Sequence, residues 1–338
     1  MIQLAKELEC FPPELFSNPY KFLNQQLETV QPYPLGDGLD ILANLSDYLH
    51  KQAEKPLIKS LYTAFIHKYP DKKSTHGLSE KSINEIMWAY DQQATSLFIQ
   101  EKFLESFKLY EQALSIFDRH FGCLHNYALS LSEYAFKNKD IATFHESSKQ
   151  FLKVLKLQPS NFNAIFSYAN MSLQHAHLTK EEHLYQQAIQ QFKLALLIQP
   201  ENHKALSNYA LALSELAEVT PNTTLYTQSI SEFEKALILA PDDATLVNIY
   251  SWVVIKFNKL RPDYSYANKI IDLLELTLNK SPSNVDILDT LGSALLIFYK
   301  TFNKKHFLHK AEIFLKDLYV LSPNKTYNYA CYYCLINN

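Results

Sequence analysis

The stretch ALSNYALALSELAEVTPNTTLYTQSISEFEKALILAP, residues 205–241, decides the fold. Its first part places Leu206, Tyr209, Ala210 and Leu213 at i, i+3, i+4 and i+7. That spacing gathers apolar side chains on one face of an α-helix. Its last part does the same with Ile230, Phe233, Ala236, Leu237 and Leu239. Pro241 then closes the pair, because proline cannot donate an intrahelical hydrogen bond and disfavours helix in the residue before it. Ala210 and Ala236 are small enough to let the two helices approach closely.

Outward from this pair, the pattern repeats. Pro159, Pro200, Pro241, Pro282 and Pro323 are each 41 residues apart. In that phase stand the first-helix segments LHNYALSLSEYAF, AIFSYANMSLQHA, LVNIYSWVVIKFN and ILDTLGSALLIFY. Each is followed by a second apolar segment ending in proline, such as QFLKVLKLQP, QFKLALLIQP and IFLKDLYVLSP. A fixed period of this length predicts a helical repeat array.

The repeat resembles the tetratricopeptide repeat (TPR) family. The residues that carry the likeness are the small residue of helix A (Ala128, Ala169, Ala210, Ser251, Gly292), the aromatic of helix B (Phe151, Phe192, Phe233), the small residue of helix B (Ala195, Ala236) and the closing proline. The likeness covers residues 87–325 as six units, one of 34 residues at 87–120 and five of 41. Residues 326–338 read as a lone capping helix A, and residues 1–86, with half of the 14 prolines, as a helical cap region. The resemblance implies an all-α, right-handed solenoid. The long units exceed the family's usual length by seven residues. That excess is expected in longer helices plus a longer A–B connection, around HLTKEEHLY, VTPNTTLY and LRPDYSYA. Leu274, Thr277, Leu315 and Leu318 stand where the aromatic and alanine usually are, so the last two full units should fit less tightly.

In the family, helix A positions two, five, nine and twelve face a concave groove. Carried onto this chain, they give Phe166, Asn170, Leu173, Lys204, Leu211, Asn248, Trp252, Ile255 and Leu296 as the candidate partner-binding surface, with His125, Leu129, Ser207, Asp289 and Ser293 in the same columns. The apolar members would form a broken stripe suited to a peptide or helix. The competing outcome is that the longer helices bury these side chains as core. A carboxylate clamp for an acidic C-terminus is a poor fit. Asn126, Asn208 and Lys204 are suitably placed, but Ser167 interrupts their column and no arginine joins them.

Composition excludes several classes. The chain has 338 residues, a formal net charge of −3 and only two arginines, Arg119 and Arg261. Nucleic acid, whose phosphates and guanines favour clustered Arg and Lys, is not an expected partner. Five glycines leave little for phosphate-binding loops. No GxSxG, P-loop, HExxH or GxGxxG occurs, so neither catalysis nor a cofactor is expected. Cys331 and Cys334 lack two further zinc ligands. His175, His177 and His183, with Glu181 and Glu182, read as a solvated A–B connection rather than a metal site, as do His306 and His309. No secretion signature and no apolar run long enough for a bilayer is present, which points to a cytoplasmic protein or an effector exported without a cleavable signal. The expected task is a protein-interaction scaffold, with a secretion-type chaperone or host-targeted effector as the alternative.

Overall fold

The computed structural model describes residues 62–63, 66–78, 80–325 and 327–336. The expected cap helices in NPYKFLNQQLETV and GLDILANLSDYLH lie outside them. Contacts divide the chain into two compact units, 1–164 and 165–338. Thirteen helices of ten residues or more follow one another among the described residues, with no strand.

The first unit holds α1 (Glu80–Ile99), α2 (Phe103–Ile116), α3 (Phe121–Asn138) and α4 (Ile141–Leu157). The helix expected to open the 34-residue unit therefore starts at Glu80, seven residues before position 87. Its core is aromatic. Tyr90, Phe107, Tyr110 and Tyr127 are buried together, and Tyr62 and Tyr69 join them. Tyr90 Oη donates to the carbonyl of Tyr69 at 2.9 Å, and Gln112 donates to that of Pro70 at 2.8 Å.

The division falls within the first turn of α5 (Phe162–Thr179). The second unit continues with α6 (Glu182–Ile198), α7 (His203–Val219), α8 (Thr223–Leu239), α9 (Ala244–Leu260), α10 (Tyr264–Lys280), α11 (Val285–Phe302), α12 (Lys305–Leu321) and α13 (Tyr327–Ile336). Odd-numbered helices are A helices and even-numbered ones B helices. Each A helix from α7 onward packs against the B helices beside it, and α7, α9, α11 and α13 touch in series.

Longer B helices take up part of the extra length. The five long B helices have 17 residues each, against 14 in α2. The A–B connections are only two or three residues, such as 180–181, 220–222 and 261–263. The longer connection expected from the sequence is therefore absent. HLTKEEHLY is mostly the end of α5 and the start of α6. Two-residue connections turn through a left-handed residue, Lys139, Lys180 or Asn303. The three-residue ones of the long units instead carry Pro221 or Pro262 and end in a capping residue, Asn222 or Asp263.

Each A helix from α5 to α11 starts two residues after the closing proline at Asn161, Asn202, Asp243 or Asn284. In all four the side chain accepts from a backbone N–H of the first turn. These caps satisfy donors that a helix start leaves unpaired. Inside the hairpins, Phe151, Phe192 and Phe233 are fully buried, as are Ala128, Ala169 and Ala210. Ser147 and Ser229 reach across to the carbonyls of Ala128 and Ala210 at 2.7 and 2.6 Å. In the last full hairpin both members of the pair are smaller. Gly292 replaces alanine and the fully buried Leu315 replaces phenylalanine.

Candidate interaction surfaces

The A-helix columns of the second unit show a graded exposure. At position two, Lys204 is exposed. At positions five and nine, Phe166, Asn170, Leu211, Asn248 and Trp252 are half-buried. At position twelve, Leu173, Ile255 and Leu296 are buried, 7%, 0% and 5% exposed, and belong to the hydrophobic core. These three are corrected from groove to core. The reason is angular: at about 100° per residue, position twelve lies about 80° from position two, whereas position nine lies only about 20° away. Position twelve is thus at the edge of the stripe and turns inward. Position thirteen, about 20° to the other side of position two, lies within the stripe. It holds Glu215 and Lys256, which family columns did not single out.

Several of the remaining candidates already serve the stacking of A helices. Asn208 on α7 donates to Asn170 Oδ1 on α5 at 2.7 Å. Thr290 on α11 bonds Asn248 on α9. Asn328 on α13 donates to Asp289 and Ser293 on α11 at 2.7 and 2.8 Å. Glu215 on α7 meets His177 Nδ1 of α5 at 2.9 Å and accepts from Tyr185 Oη of α6 at 3.0 Å. Glu218 on α7 pairs with Lys256 on α9. The polar columns are therefore ladders between neighbouring repeats. Phe166, Leu211 and Trp252 are the apolar side chains left at this face, with Phe166 edge-on to Phe192 at 6.0 Å.

Among the described residues of the first unit one carboxylate is buried. Asp91 on α1 is 7% exposed. It accepts from Asn126 Nδ2 at 2.9 and 3.0 Å and from Tyr110 Oη at 3.2 Å. Burial raises its pKa above the ordinary carboxylate value, and the hydrogen bonds from Asn126 and Tyr110 act against that rise. Asn126 and Asn208, the would-be clamp residues, are thus both bonded within the array. His125 is half-buried and stacked on Phe121 at 5.8 Å, while Leu129 is 37% exposed.

The histidines expected on a connection are helical: His175 is buried and His177 exposed on α5, while His183 stands on α6, 3.4 Å from Glu181. His306 packs on Phe307 at 4.1 Å. Cys331 is half-buried and Cys334 exposed. Among the described residues no three His, Cys, Asp or Glu side chains gather as metal ligands, and no helix is long and apolar enough to cross a membrane.

A second surface was not anticipated from the sequence. Between α6 and α8, over the start of α7, lies an open cleft of about 700 Å³. Leu197 and Ile238 stand beside it, 78% and 80% exposed. Leu239, expected in the helix-pair core, is 42% exposed and also lines it.

With this geometry the chain has the fold of the tetratricopeptide repeat proteins. A tetratricopeptide repeat protein from Parabacteroides merdae ATCC 43184 superposes with a TM-score of 0.54 at 15% identity, over 89% of this chain and all of that one. YrrB, described as a TPR protein with an unusual peptide-binding site, gives a TM-score of 0.45 at 14% identity, over 68% of this chain and 98% of its own. A thermophilic TPR protein from Thermus thermophilus gives 0.45 at 13%, over 62% of this chain and 99% of its own. No family model and no curated protein sequence matches this chain.

Proposed function

We propose that the chain is a protein-interaction scaffold whose A-helix face in residues 165–338 takes a peptide, a helix or a partner protein. The observation that carries this reading is the pair Leu211 and Trp252. They occupy the same column on α7 and α9, half-buried, beside hydrogen-bond ladders that fix the spacing of the helices. Phe166 on α5 extends the apolar strip, and Lys204 offers an exposed cation near its edge. A rigid platform with a partly exposed tryptophan loses little entropy on docking, and a buried aromatic anchor can dominate interface energy. The reading assigns the chain no chemistry and no cofactor. Its partner is protein rather than nucleic acid, given two arginines and a net charge of −3.

The test is affinity capture from lysate with wild type beside Phe166→Ala/Trp252→Ala, both checked for helicity by circular dichroism. A partner held by wild type and lost from the double variant is the expected result. Equal capture by both proteins removes the A-helix face as the site.

A further inference from the structure

The cleft between α6 and α8 carries a second inference, independent of the A-helix face. Leu197 and Ile238 are 41 residues apart, so they hold the same place on successive B helices. Both are large aliphatic side chains left mostly in water. Exposed apolar groups around a concavity mark an association surface more often than isolated ones do. The floor of this one is also apolar, with Leu196, Leu206 and Tyr209.

The charges around it are arranged in order. Lys193 lies on α6 one turn before Leu197, and Glu201 lies past the end of α6, in the turn after Pro200, where it also lines the cleft. The cleft thus has a cationic end and an anionic end. Lys235 on α8 and Asp242 in the turn past its end flank Ile238 in the same sense, but each is already matched, Lys235 by Glu232 at 2.8 Å and Asp242 by Lys280. Lys193 and Glu201 have no ion pair among the described residues. Lys193 Nζ lies 6.0 Å from the Tyr209 ring.

We propose that this cleft is a self-complementary docking surface for a second copy of the chain. A two-fold axis through Leu197, perpendicular to α6, runs the two α6 helices antiparallel. It sets Lys193 of each copy against the Glu201 position of the other and closes Leu197 and Ile238 over the opposing cleft. A parallel arrangement would bring like charges together. Isologous pairing of this kind needs one patch that complements itself. Here the apolar cleft supplies affinity, and the rim charges set orientation.

The measurement is molar mass by sedimentation equilibrium across a dilution series of the full chain. Wild type should approach twice the 39.1 kDa chain mass as concentration rises. Leu197→Asp/Ile238→Asp should stay at the single-chain mass with helicity unchanged, since both side chains are exposed. Lys193→Glu should weaken association about tenfold or more. Lys193→Glu/Glu201→Lys, which restores opposite charges across the axis, should recover it. Trp252→Ala should associate like wild type, which separates this inference from the proposed function. A single-chain mass for wild type at every concentration overturns the proposal, even if the cleft captures another protein. So does an assembly that survives the two aspartates, or a charge exchange that fails to restore it.

Discussion

Gly292 offers the sharpest test of the helix register in the second unit. It occupies the column that holds alanine or serine in the other long repeats, and it faces Leu315 of α12. A β-carbon added there would overlap Leu315 Cδ2 and meet its Cγ at 3.0 Å. Favourable carbon contacts are about 3.5–4.0 Å, and Leu315 is fully buried, so it has little room to retreat. Overpacking of this kind costs about 1–3 kcal/mol. Replacing a mid-helix glycine by alanine returns about 1 kcal/mol. Gly292→Ala should therefore destabilise by about 0–2 kcal/mol. Leu315→Ala alone should cost about 2–5 kcal/mol through the cavity it leaves. The decisive quantity is their coupling. In Gly292→Ala/Leu315→Ala the new methyl enters the space the leucine vacates, so the double variant should be more stable than the sum of the singles by about 1 kcal/mol or more. The assay is urea unfolding followed by Trp252 fluorescence in a Trp88→Phe background, since the chain has two tryptophans and only Trp252 lies in this unit. Additivity within about 0.5 kcal/mol would mean that the two side chains do not meet, and the α11–α12 register would be refuted.

Two further outcomes follow from the burial of named groups. Ile255→Ala should cost about 2–5 kcal/mol in urea unfolding while leaving capture by the A-helix face intact, because Ile255 is core; loss of capture without loss of stability would return it to the groove. Asp91 should give an inverted pH response. Its folded pKa is raised, so the folded state keeps the proton where the unfolded chain has released it. The stabilisation from that proton is fully present below the ordinary carboxylate value and is lost as pH rises through the raised one. On acidification through that window, wild type should gain stability relative to Asp91→Asn, read by Trp88 fluorescence during urea unfolding; a difference that is flat or of opposite sign would remove Asp91 as a buried carboxylate.

The helix pairs were legible because proline and apolar period agree: Pro200 and Pro241 end helices whose buried faces are set by Ile189, Phe192 and Ala195, then Ile230, Phe233 and Ala236. The connections are hard to place in the sequence because polar residues at helix ends resemble irregular backbone. Thr179, Glu182 and His183 are polar because they sit on the solvent side of helix ends, and only Lys180 and Glu181 form the turn. Asn161, Asn202, Asp243 and Asn284 mark every one of those A-helix starts, two residues past each proline, and would have fixed the boundaries from sequence alone. Leu173, Ile255 and Leu296 fall in the core rather than the groove for a different reason. Family columns give positions along a helix, whereas exposure depends on angle, and about 80° is enough to carry Ile255 from groove to core. The cleft was hidden in the run KLALLIQP, where nearly every residue is apolar. Composition cannot say which side of such a run is inside. Angle can: Leu197 is two residues beyond Ala195, about 200° around the helix, so once Ala195 is buried against its partner, Leu197 must face outward. The same holds for Ile238 beyond Ala236. The two exposed side chains are therefore a consequence of the repeat, but their survival as leucine and isoleucine is not. The equivalent positions on α4, α10 and α12 are Lys156, Asn279 and Val320. An aliphatic is not required there by packing, and the proposed pairing of two copies would give Leu197 and Ile238 a use that burial does not.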